Sequence, residues 1–339
     1  MATDTTPLDE DASHASHRPP RHQTRSAGPV VRREDVSFPS ADQRCGGWLY
    51  RPAGEGPHPC VVMAHGIGGI RSAVLPAFAH HFAAAGIAAL VFDYRYLGTS
   101  GGQPRGLIDI GRQREDYRAA IAYTRHLDRI DARRIALWGT SFSGGHVLSV
   151  AAEDTRIAAA IIQNPFVDGR ATAAAAIRSA GRAQAGRLAW KGLRDEVCRL
   201  LRRNPHRVAL AGPPGTVALM TTRDAVAGYE SIMPADPIGF EPAVPARIVL
   251  QMRFDRPGVQ AHKIACPLLV CVCDHDVISP AQAAVRVAER APRGELRRYP
   301  IGHFDIFTSP WFQHAVDDQV GFLLRTLFDA QLPVQDPSQ

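Results

Sequence analysis

Leu137-Trp138-Gly139-Thr140-Ser141-Phe142-Ser143-Gly144-Gly145 is the stretch that decides the fold. An apolar run ends at Trp138 and a helical pattern opens at Phe142, which leaves a serine in the turn between a strand and a helix. Such a turn pushes its side chain out of the sheet, with the helix N-terminus behind it. It is sharp, so it needs small residues two before and two after the exposed serine. For Ser141 these are Gly139 and Ser143, a serine standing where the usual pattern has its second glycine. Ser143 also has a glycine two residues on, but the strand would then end too far upstream. Ser141 is therefore the preferred nucleophile. A glycine-rich phosphate-binding turn is the competing reading, and the stretch has neither G-x-G-x-x-G nor G-x-x-x-x-G-K spacing.

Outward from this turn, short apolar runs alternate with longer helical patterns. Strands are predicted at Cys45–Tyr50, Cys60–Ala64, Ala88–Phe92, Arg134–Trp138, Ala158–Ile162, Pro267–Val272 and Leu296–Tyr299. Helices are predicted at Ala73–Ala85, Ile110–His126, Phe142–Ala152, Pro280–Ala291 and Pro310–Leu327. Runs such as Val61-Val62-Met63-Ala64 are apolar without alternation, as strands buried on both faces are. The expectation is an α/β chain with a doubly wound, mostly parallel sheet. The alternation breaks between Asp168 and His262. That stretch is too long for a structureless connection and reads as a helical cap or lid inserted in the second half.

A serine nucleophile needs a base, and the base needs an acid to orient it. His303 lies in Tyr299-Pro300-Ile301-Gly302-His303-Phe304-Asp305, the last histidine context that follows a predicted strand. Upstream, Cys273-Asp274-His275-Asp276-Val277-Ile278-Ser279-Pro280 follows another apolar strand. Asp276, further into the turn, is preferred to Asp274 as the acid. His65-Gly66-Ile67-Gly68-Gly69 follows the strand ending at Ala64. Its glycines let the backbone bend so that the Ile67 amide, with that of Phe142, can donate to an oxyanion. In the cap, Met220 and Met233 are candidates for an apolar acyl pocket, although packing of the cap explains them equally well.

The chain has 339 residues, 45% apolar and 21% charged, with a net charge of +6. Lys191 and Lys263 are the only lysines, so the positive charge is arginine spread along the chain. No basic run with interleaved aromatics is present, and nucleic acid is not an expected partner. No apolar run approaches the ~18 residues of a membrane span. The six cysteines make no CxxC pair and no zinc spacing, so no metal is expected and the thiols read as buried core residues in a cytoplasmic protein. The polar start lacks the apolar segment of a secretory signal. Residues 1–33 and 331–339 read as tails, 34–167 and 263–330 as the core, and 168–262 as the cap.

From about Val36 to Leu332 the chain resembles the α/β-hydrolases. The resemblance rests on His65-Gly66-Ile67-Gly68-Gly69, on Phe92-Asp93-Tyr94-Arg95-Tyr96-Leu97-Gly98-Thr99-Ser100-Gly101-Gly102, on the serine turn and on Gly302-His303-Phe304. The chain order Ser, Asp, His is that family's. The Asp-Tyr-Arg and Gly-Thr-Ser-Phe-Ser-Gly-Gly-His stretches are similar to a subgroup of acetyl-xylan-esterase-like, dipeptidyl-peptidase-like and polyketide-transferase-like hydrolases. It implies the α/β-hydrolase fold, Ser141, Asp276 and His303 as a triad, and no cofactor. The expected function is an esterase: a serine hydrolase cleaving a small to medium acyl ester or thioester through an acyl-enzyme. The alternatives are an acyltransferase with the same triad, or a non-catalytic hydrolase-like binding protein. Substrate identity and oligomeric state are left open by the sequence.

Overall fold

A computed structural model describes residues 31–328. Its main sheet is built from β1 (Arg32–Ser40), β2 (Gln43–Arg51), β3 (His58–Ala64), β4 (Ala88–Phe92), β5 (Ile130–Thr140), β6 (Ala159–Gln163), β10 (Leu268–Cys273) and β11 (Gly294–Tyr299). The order across the sheet is β1-β2-β4-β3-β5-β6-β10-β11. β1 and β2 pair antiparallel, β2 joins β4 antiparallel, and every pairing from β4 to β11 is parallel.

The sheet divides the core by side-chain alternation. In β3, Val62 and Ala64 enter one apolar cluster while Val61 and Met63 enter another; in β5, Leu137 and Trp138 are split in the same way. This is the period-two geometry of a strand covered on both faces. One face is covered by α2 (Ile110–Arg125), α3 (Phe142–Glu153) and α8 (Ala281–Arg290), and the other by α1 (Leu75–Ala84) and α9 (Trp311–Leu327). Trp138 is fully buried, and its indole N–H donates to Gln319 Oε1 of α9 at 2.8 Å. The Gln319 amide in turn donates to Gln163 Oε1 at 2.7 Å. Trimming such a tryptophan to alanine costs about 3–5 kcal/mol.

Between β6 and β10 the chain forms α4 (Gly169–Ala180), α5 (Arg182–Leu200), α6 (Ala225–Ser231) and α7 (Ile248–Met252). It also forms β7 (Arg207–Ala211), β8 (Ala218–Met220) and β9 (Ala243–Pro245), which make a separate three-stranded sheet in the order β8-β7-β9. The inserted stretch expected to be helical thus carries a small sheet as well. β8 and β9, at three residues each, fall below the length at which alternation is readable, and β7 at five is only just long enough. Asp168 caps α4, accepting from the amides of Arg170 and Ala171 at 2.9 and 3.1 Å.

β1 begins at Arg32, two residues inside the segment read as an N-terminal tail; residues 1–30 of that tail and the C-terminal tail lie outside the described residues. Five of the six cysteines are buried, and burial pushes the Cys60 and Cys271 thiols up to about 12. Among the described residues, no helix is long and apolar enough to cross a membrane.

Candidate active site

Ser141 sits at the junction of β5 and α3 with φ +52° and ψ −119°. A non-glycine residue at such a dihedral is strained, and the neighbours hold it there. At Gly139 an added Cβ would lie 2.5 Å from the Ser143 carbonyl oxygen, so only glycine permits the turn to close. The Ser141 amide donates to the Gln163 carbonyl at 2.9 Å, and the Ser141 carbonyl accepts from Phe166 at 2.8 Å. Strain is thereby fixed from the neighbouring strand end.

Of the two serines in the turn, only Ser141 reaches the cavity. Ser143 is 0% exposed, and its hydroxyl shares a 2.9 Å hydrogen bond with the Tyr94 hydroxyl. The two carboxylates after β10 separate equally sharply. Asp276 Oδ2 lies 2.6 Å from His303 Nδ1, while its Oδ1 accepts from the amides of Ile278 and Ser279 at 2.8 and 2.7 Å. Asp274 faces outward and pairs with Arg298 at 2.8 Å. Because a carboxylate accepts the His303 Nδ1–H, the ring's Nε2 is left for another partner. The His303 carbonyl accepts from the Asn164 side-chain amide at 2.8 Å, and Asn164 Oδ1 accepts from the Thr140 hydroxyl at 2.7 Å. Asn164 therefore ties the serine turn to the histidine loop.

The loop after β3 lies against the serine. A Cβ built on Gly66 would sit 3.2 Å from Ser141 Cβ, so any side chain there would crowd the serine and push it by a few tenths of an ångström. Among the described residues, no hydrogen bond engages the amide of Ile67 or of Phe142, which leaves both as unspent donors. The loop is braced from three sides. Burial lowers the His65 pKa below its usual range, so its neutral ring donates Nδ1–H to the Gly66 carbonyl at 2.9 Å. Asp93 accepts from the Arg71 amide at 2.6 Å. From α6, the Tyr229 hydroxyl donates to the Ile67 carbonyl at 2.7 Å.

Ser141 and His303 line one cavity of about 40 Å³. No direct hydrogen bond joins their side chains, a separation common before substrate tightens a site. Met220 and Met233 line the same cavity, so the structure brings both cap methionines to the serine; Ile232, Phe304 and Phe307 extend the apolar wall. A third apolar cluster shows why. Ile67, Phe142 and Phe304 of the core pack with Leu210, Met220 and Tyr229 of the insertion. Tyr229 and Asn164 were not found from the sequence. Each acts across more than a hundred residues, which no local spacing signals.

A mostly parallel sheet, wound on both faces and carrying a serine on a strained strand-to-helix turn, defines an α/β-hydrolase. The chain belongs to the family described as serine aminopeptidase, S33, whose profile matches residues 55–309. It is 45% identical over 291 residues to the quorum-quenching protein AidA of Acinetobacter baumannii, covering 86% of this chain and 94% of that one. It is 37% identical over 135 residues to the thiohydrolase aneE of Aspergillus aculeatus, 40% of this chain and 42% of the relative. The crystal structure of the α/β-hydrolase GrgF from a Penicillium species superposes with a TM-score of 0.72 at 25% identity, covering 87% of this chain and 99% of that one. The chain is thus a hydrolase of the serine-hydrolase class.

Proposed function

We propose that this protein is an esterase or thioesterase acting through Ser141, His303 and Asp276. His303 Nε2 takes the Ser141 proton as the hydroxyl attacks the acyl carbon, while Asp276 holds the Nδ1–H and steadies the imidazolium. The amides of Ile67 and Phe142 donate to the oxyanion. His303 returns its proton to the leaving group, then activates water to release the acyl-enzyme. None of these steps calls for a cofactor. The observation that carries the reading is the 2.6 Å contact of His303 with Asp276 at the wall of the cavity that Ser141 lines.

An apolar wall of Met220, Ile232 and Met233 suits an acyl chain better than a charged peptide terminus. The name of the Aspergillus relative favours including thioesters, and that of the Acinetobacter relative suggests quorum quenching as the physiological role. Six unpaired thiols suit a reducing compartment, and we place the protein in the cytoplasm. The test is a fluorophosphonate probe with peptide mapping, followed by p-nitrophenyl esters and matching thioesters of rising chain length. Labelling should fall on Ser141. A folded protein that leaves Ser141 unlabelled is a binding protein and not an enzyme. Turnover seen only with an added alcohol or amine acceptor would make it an acyltransferase.

A further inference from the structure

α5 presents an apolar stripe to solvent. Trp190, Leu193, Val197, Leu200 and Leu201 are spaced three, four, three and one residues apart, which places them on one side of the helix. Trp190 is 63% and Leu200 65% exposed, and the other three are exposed as well. The opposite side is anchored. Gln184, Gly192 and Asp195 are buried there, and Asp195 accepts from the Arg247 guanidinium at 2.7 Å and from the His206 amide at 2.7 Å. The stripe is therefore not the helix's packing face. Among the described residues, nothing covers these five large apolar side chains.

The charge around the stripe identifies what covers it. Arg187, Arg194, Arg202 and Arg203 are exposed and have no ion-pair partner among the described residues. The two acidic residues of α5 are already spent: Asp195 on Arg247 inside, Glu196 on Arg199. A second copy of the chain would bring the same arginines against these. Five residues also fall far short of the ~20–30 a side of a stable protein interface. A helix with a tryptophan- and leucine-bearing outer face and unpaired arginines beside it matches the interface of a bilayer that carries negative headgroups. We propose that α5 docks this protein on an anionic lipid surface, with Trp190 and Leu200 entering the headgroup region and the arginines contacting lipid phosphates. The insertion that lines the cavity would then face the membrane from which apolar acyl compounds partition.

The full chain is mixed with vesicles of phosphatidylcholine alone, or of equal parts phosphatidylcholine and phosphatidylglycerol, and sedimented. Binding is expected to the mixed vesicles only and to weaken as salt rises. Each arginine removed in R194Q/R202Q/R203Q should lower the partition coefficient about fivefold. W190S/L200S should abolish binding. Hydrolysis of soluble p-nitrophenyl acetate by either variant should match the parent, which shows that the fold is intact. No binding to mixed vesicles overturns the proposal, as does binding that both variants retain. A dimer in sedimentation velocity that W190S/L200S dissociates would overturn it too, and would make the stripe an interface between copies.

Discussion

Replacing Tyr229 with phenylalanine removes one hydroxyl and keeps the ring that lines the cavity. That hydroxyl is the 2.7 Å donor to the Ile67 carbonyl, and burial pushes the phenol pKa up, so it remains a donor across the working pH range. No other donor reaches this carbonyl among the described residues. The variant strands a buried acceptor, which costs about 1–3 kcal/mol of stability. The larger consequence is kinetic. Freed from α6, the Ile67 backbone loses the orientation that aims its amide at the oxyanion, and complete loss of one such donor costs about 10²–10³ in rate. Partial misalignment should lower kcat about tenfold, still inside that limit. KM should hardly change, because the oxyanion exists only after the substrate is bound. Stopped-flow acylation with a p-nitrophenyl ester, beside a thermal melt, reads both effects. A melting point that falls while kcat stays within twofold would refute the coupling and leave Tyr229 as a support of the insertion alone.

Ser141→Ala should abolish esterase activity with little change in melting, since the hydroxyl borders a cavity; Ser143→Ala should keep most activity and lose about 1 kcal/mol with the Tyr94 hydrogen bond. Asp276→Asn should be far more damaging in kcat than Asp274→Asn, because only Asp276 touches His303; equal losses would show that the two act as a unit. Met220→Ala and Met233→Ala should shift the preferred acyl length in kcat/KM from acetyl to decanoyl esters, whereas parallel loss at all lengths would restrict them to packing the insertion. Burial holds the His146 pKa well below its ordinary 6.5; its Nε2 bonds Gln113 at 2.9 Å and its Nδ1 has no partner. The native state therefore binds fewer protons than the unfolded chain, so stability is full above pH 6.5 and falls as pH drops below it. Melting points measured from pH 7 down to pH 5 should fall less steeply in His146→Gln.

The parts of the fold written in local pattern were legible. β4 was expected at Ala88–Phe92 and lies there, because a strand buried on both faces is apolar at every position. β1 was not expected. Arg32-Arg33-Glu34-Asp35 puts charge on an edge strand, where one side faces water and alternation is masked. The candidate residues Ser141, Asp276 and His303 could be placed from chain order and turn chemistry. The reach of Tyr229 into the loop after β3 could not, for it depends on how α6 packs beneath Phe304 and Phe240, contacts made only after the insertion has folded.

The bond from Trp138 to Gln319 has a consequence for synthesis on the ribosome. The serine turn and most of the central strands emerge in the first half of translation, but the indole N–H in the middle of the sheet has no acceptor until residue 319 follows. The same glutamine closes onto Gln163, so two interior polar groups wait for one late helix. A nascent chain stalled before α9 has all eight strands of the main sheet, but the face that α1 and α9 share is covered by α1 alone and keeps a polar gap at Trp138 and Gln163. Arrival of α9 is the event that pairs both groups and closes the rest of that face.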